Sequence, residues 1–206
     1  MRRLTLPRPA VFLFGAAVLL TLASLADPWA YQHLWVQGVD GHDWGRALRV
    51  MGWVPLWWAL AAGMALQSPR DRRPALLLAG APTLAGILGE ALKLVIRRER
   101  PAANAGAYVF RSFADRPFSS TGLGMPSSHV VVALAAAAIL ARLWPRTRWI
   151  GYGLAIGCAL TRVFARAHFL SDVVAGAIVG YAVAALLWQR FAPAKSAPHP
   201  SAAHPI

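Results

Sequence analysis

The sequence predicts an all-α, polytopic membrane protein with six transmembrane helices. Of its 206 residues, 57% are hydrophobic, and the mean hydropathy is +0.47. The apolar residues form long continuous runs, each close to the roughly 20 residues with which a helix crosses a bilayer. Backbone groups in lipid must find partners within their own segment, so runs this continuous are expected to be helical. The runs are 10–26, 51–67, 75–96, 128–144, 149–165 and 172–190.

We expect residues 1–190 to form a single six-helix membrane domain, and the short Pro/Ala-rich tail, 191–206, to be disordered. The basic start, the first apolar run and the letters "SLA" before Asp27 also resemble a secretory signal peptide. Cleavage there would leave five spans and place the chain ends on opposite sides, so we interpret this run as a retained helix. Cys158 is the only cysteine and lies within the fifth run, where we expect it to be a small packing residue.

Basic residues indicate how the predicted helices are oriented. They precede the first helix, fill the turns between the second and third and between the fourth and fifth, and follow the sixth. In a six-helix arrangement these segments share one side, which the positive-inside rule makes cytoplasmic. Both termini would then lie on the cytoplasmic side of a bacterial-type inner membrane. The residues are Arg2, Arg3, Arg8, Arg70, Arg72, Arg73, Arg146, Arg148, Arg190 and Lys195.

The opposite side also carries arginines, which loop charge alone does not explain. We interpret them as ligands for an anion at the outer, periplasmic face. They are Arg97, Arg98, Arg100, Arg111, Arg116, Arg162 and Arg166.

Residues 27–53 form a polar, turn-rich segment whose Trp and Tyr side chains are typical of the membrane–water interface. The histidines and aspartates of this segment match no metal-binding spacing, so we interpret them as solvated loop residues. They are His33, Asp40, His42 and Asp43. We predict no metal and no other cofactor.

The third run ends in charged residues, which are costly in a membrane and usually functional. Glu90 and Lys93 lie inside or at the edge of the run. Arg100 follows Lys93 by about two helical turns, so the two cations can face the same way. Two other interpretations remain open: Lys93 could snorkel to the interface, and Glu90 could simply neutralise it as an i,i+3 partner.

The loop from Pro101 to Met125 is long for a compact membrane protein, and long loops are often functional. Its aromatic residues, among them Tyr108 and Phe113, alternate with arginines. We interpret it as a binding surface for the headgroup of an amphiphile, with disorder as the competing interpretation.

The fourth run begins with Pro126, Ser127, Ser128 and His129. A helix that starts here leaves its first N–H groups unpaired, and their partial positive charge attracts anions. Small hydroxyl residues can cap such a start and let a phosphate approach closely. His129 adds a group that titrates near neutral pH. An ordinary Ser-capped helix whose histidine faces the interface is the alternative interpretation.

Three polar residues, Arg162, His168 and Asp172, lie where the fifth run ends and the sixth begins. His168 and Asp172 are four residues apart, so on a helix the carboxylate can reach the ring. A nucleophilic or basic histidine is oriented in this way, with one ring nitrogen held and the other left free.

Together the three segments resemble the signature of the type 2 phosphatidic acid phosphatase (PAP2) superfamily, the membrane relatives of vanadium haloperoxidases. That signature is a Lys, six residues and Arg-Pro, then Pro-Ser-Gly-His, then Ser-Arg, five residues, His, three residues and Asp. Ser128 stands here in place of the usual Gly, and Thr161 in place of the usual Ser. The resemblance spans roughly residues 75–190. The matching residues are Lys93, Arg100, Pro101, Pro126, Ser127, His129, Arg162, His168 and Asp172.

The resemblance implies a site that transfers a phosphoryl group without a metal. His168 would attack phosphorus and form a phosphohistidine, Asp172 would hold its ring, and His129 would protonate the departing oxygen and later help to activate water. Fixed cations, a serine hydroxyl and backbone N–H groups would hold the phosphoryl oxygens, which suits a reaction that depends on positioning and charge. The implied phosphate-binding residues are Lys93, Arg100, Ser127, Ser128 and Arg162.

We therefore expect an integral membrane phosphatase that acts on a lipid phosphate or diphosphate at the outer face and has no nucleic-acid partner. Candidate substrates are undecaprenyl diphosphate, phosphatidate, phosphatidylglycerol phosphate and lipid A phosphates, which the sequence does not separate. A phosphotransferase of the same superfamily is one alternative. A lipid transporter or lipid-binding protein is another, but it would not explain two histidines and an aspartate at these spacings.

Overall fold

The computed structural model describes residues 9–192, which fold into a bundle of α-helices joined by short turns and one long loop. Within this range the chain forms no β-strand, only two isolated bridges in the long loop. The helices are α1 Pro9–His33, α2 Asp43–Arg49, α3 Val54–Gln67, α4 Arg73–Ile96, α5 Ser128–Leu143, α6 Arg148–Phe164 and α7 Leu170–Phe191. Single 3₁₀ turns occupy Val50–Gly52, Pro101–Asn104 and Pro145–Thr147.

Helix α5 lies at the centre of the bundle and packs against α4, α6 and α7. Its Ala- and Val-rich sequence is buried on nearly every side, because small side chains let the neighbouring helices approach closely. The α7 contact is closest where α7 has glycine: a Cβ on Gly180 would lie 2.3 Å from the Val131 carbonyl oxygen, and one on Gly176 would lie 2.8 Å from that of Ser127. This contact places the beginning of α5 beside the beginning of α7.

The segment 27–53, predicted to be a polar loop, is largely helical. Helix α1 continues through Pro28 to His33, and α2 follows after a short turn. Asp27 is 1% exposed because this end of α1 packs against α7. The α2 segment and α3 meet at a bend of 70° near Trp53. Local sequence misses these helices because the segment is rich in polar and turn-forming residues, several of which, such as Asp43, stay exposed on the helices.

All six predicted apolar runs coincide with helices, but six membrane spans are not confirmed. Within residues 9–192, α1, α4 and α7 are long and apolar enough to cross a membrane, and the bent pair of α2 and α3 would make a fourth. Helix α5 has 16 residues and α6 has 17, which is short for a span. Because α5 is enclosed by protein, lipid thickness does not set its length.

The loop between α4 and α5 has a defined conformation tied to the bundle by its first residues. Bridges join Arg98 to Phe110 and Glu99 to Leu123. Arg97 is buried in a left-handed conformation with φ 61°, and its guanidinium donates hydrogen bonds to four loop carbonyls. The structure therefore uses Arg97 to hold the loop, not as a ligand for an external anion.

Some predictions fall at the chain ends. Phe191 still belongs to α7, so the helix extends one residue into the predicted tail. The remainder of that tail, from 193 onward, and the basic cluster Arg2, Arg3 and Arg8 lie outside the described residues.

Candidate active site

His168 lies in the turn between α6 and α7 and is 4% exposed. Its Nδ1 is 2.9 Å from the carbonyl oxygen of Gly124. A carbonyl oxygen can only accept, so this contact places the ring proton on Nδ1 and leaves the lone pair on Nε2. His168 is thus held in the tautomer that a nucleophile or a general base requires.

Asp172 approaches the same ring but is not its nearest acceptor. Its Oδ2 lies 3.6 Å from His168 Nδ1 and accepts a 2.8 Å hydrogen bond from the Phe169 N–H, which caps the start of α7. Its Oδ1 accepts from Arg98 in a buried ion pair. A Cβ on Gly124 would lie 2.8 Å from Asp172 Oδ2, so this position requires glycine. The sequence implies that Asp172 holds the ring, and the structure adds the Gly124 carbonyl as the nearer acceptor.

The surroundings of His168 favour its neutral form. Burial lowers the pKa of His168 below its ordinary value, and the nearby Asp172 carboxylate opposes that shift by raising the pKa. The positive charges of Arg100 and Lys93 lower the pKa further. The net direction is downward, so Nε2 carries a lone pair at neutral pH.

Lys93 is buried on the last turns of α4 and connects two of the predicted segments. Its Nζ donates to Glu90 Oε1 at 2.9 Å and to Ser128 Oγ. Ser128 Oγ in turn lies 2.5 Å from Glu90 Oε1. The i,i+3 pair of Glu90 and Lys93 is therefore present, and the hydroxyl of Ser128, absent from the usual glycine, completes a three-membered cluster.

Two of the predicted phosphate ligands have side-chain hydrogen-bond donors that bind no other side chain among the described residues. The Ser127 hydroxyl is fully buried and has no hydrogen-bond partner among residues 9–192. Leaving such a group unpaired costs roughly 1–3 kcal/mol, so this hydroxyl is available to a further hydrogen-bond partner. Arg100 is exposed, and in the described residues its only side-chain hydrogen bond is a 3.5 Å contact with the Leu123 carbonyl.

Arg162 is buried on the last turn of α6 and binds a carboxylate from the N-terminal part of the chain. Its Nη2 donates to Asp40 Oδ1 and Oδ2 at 2.8 and 3.0 Å, and its Nε has no partner within residues 9–192. Asp40 also lies 3.5 Å from Arg49. Asp40 is a loop residue, as predicted, and its side chain is 43% exposed, but the turn before α2 also carries it to the end of α6, where it pairs with Arg162.

His129 lies in the first turn of α5, with Arg162, His168, Arg49 and Lys93 as its charged or titratable neighbours. The bend between α2 and α3 packs closely against His129, since a Cβ on Gly52 would lie 2.6 Å from the His129 Cα. Both histidines therefore lie near the predicted cations.

Comparison with known proteins identifies the family. The family model of the PAP2 superfamily matches residues 74–195, which contain all three motifs. The chain belongs to the PAP2 superfamily. No solved structure is a significant match.

Curated relatives are phosphatases of lipid phosphates. A lipid A 1-phosphatase of Rhizobium johnstonii is 40% identical over 97 residues, which is 46% of this chain and 38% of the relative. The lipid A 1-phosphatase of Rhizobium etli is 36% identical over 97 residues, 46% of this chain and 40% of the relative. The decaprenylphosphoryl-5-phosphoribose phosphatase of Mycolicibacterium smegmatis is 34% identical over 126 residues, 58% of this chain and 62% of the relative. The match thus covers less than two thirds of each relative.

The structure adds residues that the PAP2 motifs do not include. Asp27 on α1 accepts hydrogen bonds from the Ser171 N–H at 2.9 Å, from the Ser171 hydroxyl and from Tyr108 Oη at 2.5 Å. Arg98 donates to Ser171 Oγ at 2.7 Å as well as to Asp172. This buried cluster connects α1, the long loop and α7 directly behind His168. The sequence offered one signal for it, an aspartate at the end of the first apolar run.

The remaining outer-face arginines have structural partners, so the interpretation of all of them as anion ligands is wrong. Arg111 pairs with Glu99 at 3.2 Å, and Arg116 with Asp115 at 3.2 Å. Arg166 donates to the Tyr31 carbonyl and stacks on the Tyr31 ring. Among residues 9–192 no group of three or more His, Cys, Asp or Glu side chains could hold a metal ion. Metal-independent catalysis stays a prediction.

Proposed function

We propose that this PAP2 protein is an integral membrane phosphatase that hydrolyses the phosphate or diphosphate of a lipid through a phosphohistidine. The observation that carries the proposal is the hydrogen bond from His168 Nδ1 to the Gly124 carbonyl, which leaves the Nε2 lone pair free amid cations. Histidines that serve as nucleophiles are oriented by this kind of contact.

In the proposed first step the Nε2 lone pair of His168 forms a bond to phosphorus as the phosphorus–oxygen bond to the lipid breaks. His129 gives its proton to the departing oxygen, so the lipid leaves as an alcohol or as a shorter phosphate. In the second step a water attacks the phosphohistidine and His129 takes its proton. Inorganic phosphate leaves, and His168 and His129 return to their starting states.

Charge stabilisation would come from the predicted phosphate ligands. Lys93, Arg100 and Arg162 supply three cations, and Ser127 supplies a buried hydroxyl without another partner. The start of α5 adds N–H groups around Ser128 with their partial positive charge. Fixed donors of this kind stabilise a phosphoryl-transfer transition state because they need no reorganisation.

We also propose that the chain spans the membrane six times with both termini in the cytoplasm, so that the site faces the outer side. The end of α4, the start of α5 and the turn between α6 and α7 meet at one end of the bundle. Arginines of the opposite turns supply the positive-inside signal. A reporter fused after Ile206 should behave as cytoplasmic, and one inserted near Gly106 as external. A cytoplasmic reporter at Gly106 would overturn the orientation.

The substrate is proposed as a class, a lipid-linked phosphate, and a panel would identify the member. Purified full-length protein in detergent should release phosphate from at least one of undecaprenyl diphosphate, phosphatidate, phosphatidylglycerol phosphate and lipid A. Vanadate should inhibit this release, because it binds a histidine in a geometry that resembles the transition state. Binding of these lipids without phosphate release would instead support a lipid-binding protein.

A further inference from the structure

A cavity lies at the end of the bundle away from His168. It has a volume of about 460 Å³ and opens sideways between the first half of α4 and the last turns of α7. Both helices are among those long and apolar enough to cross a membrane. The lining residues are Arg73, Leu76, Leu77, Gly80, Leu84, Leu187, Arg190, Phe191 and Ala192.

The polar end of this cavity is positively charged. Arg73 and Arg190 form no ion pair among residues 9–192, and the segments outside that range contain no Asp or Glu. Asp71 lies two residues before Arg73, but it accepts a hydrogen bond from the backbone N–H of Arg73, at 3.2 Å. The first turn of α4 adds the positive end of a helix dipole. An anionic group is therefore complementary to this end.

The length of the cavity matches one lipid leaflet. From Arg73 to Leu84 its lining follows α4 for about 16 Å at 1.5 Å per residue. The hydrocarbon core of a bilayer is about 30 Å thick, so this depth is about half of it. Apart from the two arginines, the lining is apolar.

We propose that this cavity binds one anionic phospholipid from the leaflet opposite the active site. Its phosphate lies between Arg73 and Arg190, and one acyl chain follows the leucines of α4 past Gly80. This site uses none of the residues assigned to phosphoryl transfer, so it stands or falls separately from the proposed function.

Two other occupants fit the charge less well. The C-terminal segment 193–206 continues from the cavity edge at Ala192, but it carries Lys195 and no acidic side chain. A second copy in a symmetric contact would bring its own Arg73 and Arg190 against these arginines. The phosphate of a lipid is an anion, so it brings no positive charge to Arg73 and Arg190.

The test is native mass spectrometry of the full-length protein titrated with phosphatidylglycerol or phosphatidylcholine. The intact protein should bind one phosphatidylglycerol in preference to phosphatidylcholine. A double variant, Arg73→Gln with Arg190→Gln, should lower that preference about twenty-fivefold, because each arginine contributes a factor of about five at a membrane surface. The matched control, Arg146→Gln with Arg148→Gln, removes two charges outside the cavity lining and should keep it.

A second variant tests the contribution of the apolar lining of the cavity to lipid binding. A Cβ on Gly80 would have no atom within 4 Å, so Gly80→Leu fills the cavity without a backbone clash. It should weaken binding of both lipids while both arginines remain. Unchanged phosphatidylglycerol binding in the double variant and in Gly80→Leu would overturn the proposal. Binding that rises severalfold on deletion of 193–206 would show that the tail occupies the cavity, and would overturn it too.

Discussion

The N-terminal part of the chain, residues 9–67, and the C-terminal part, from 74 onward, contribute differently to the site. The C-terminal part carries the family match, both histidines and the predicted cations. The N-terminal part lies outside that match, but two of its carboxylates reach the cluster: Asp27 binds Ser171 behind His168, and Asp40 binds Arg162. In the proposed mechanism, the C-terminal part supplies the reacting groups and the N-terminal part adjusts their charge.

This difference shows that motif residues alone do not describe the electrostatics of the site. Arg98 pairs with Asp172, and a pair of opposite charges presents little net charge to His168. Asp27 adds a second carboxylate, so the buried cluster of Asp27, Arg98 and Asp172 is negative overall. A ring that gains positive charge as its Nε2 bonds to phosphorus is stabilised by that negative charge.

The largest effect should come from the histidines of the C-terminal part. Replacing His168 with Ala should abolish phosphate release because no nucleophile remains, and replacing His129 should slow release by at least about 10²-fold. The matched control is His33→Ala in the N-terminal part, whose ring binds the Trp29 carbonyl at 2.9 Å on an exposed surface. Near-normal activity in His168→Ala, measured with a lipid that the intact protein hydrolyses, would exclude the phosphohistidine.

The second-largest effect on activity is expected from a substitution of Asp27. Asp27→Asn keeps an oxygen for the Ser171 N–H but removes the charge. We expect kcat to fall about tenfold with little change in KM, and the acid limb of the pH–rate profile to move to lower pH by about one unit. The sign follows because His168 must be neutral to attack, and losing a nearby negative charge lowers its pKa beyond the lowering by burial. The charged and titratable groups around His168 are Asp172, Arg98, Arg100, Lys93, His129, Arg162 and Asp27.

The control for Asp27 is Tyr108→Phe, which deletes one hydrogen bond to that carboxylate and no charge. It should leave the acid limb in place. A purely structural role for Asp27 would instead lower the melting temperatures of both variants and leave both pH profiles unchanged.

The comparison also shows what the sequence could and could not predict. The helices from α4 to α7 were predictable because their apolar runs are continuous, and the gathering of Lys93, His129 and His168 followed from motif spacing. Asp27 and Asp40 were not predictable in this way. Each depends on a contact over more than 100 residues of chain, and no local pattern specifies its partner.

A smaller effect is expected for Asp40. Its side chain is 43% exposed, and it shares the Arg162 guanidinium that we assign to the phosphoryl group. Asp40→Asn removes a competing anion, so vanadate should inhibit about threefold more strongly, within the range of partly exposed ion pairs. Asp43→Asn is the control, since Asp43 pairs with Arg46 on the exposed surface of α2. Weaker inhibition in Asp40→Asn would show that Asp40 positions Arg162 and does not compete with the substrate.

The smallest expected effect is that of a chelator. If the C-terminal cations stabilise the transition state, prolonged treatment with EDTA should change kcat by less than about twofold, since no metal has to polarise the phosphoryl oxygens. The N-terminal carboxylates would be the natural ligands of a metal, but Asp27 is engaged by Ser171 and Tyr108, and Asp40 by Arg162. Loss of activity in chelator, restored by a divalent cation, would require one of these carboxylates to leave its partner. Repeating the measurement with Asp27→Asn and Asp40→Asn would then identify which one binds the metal.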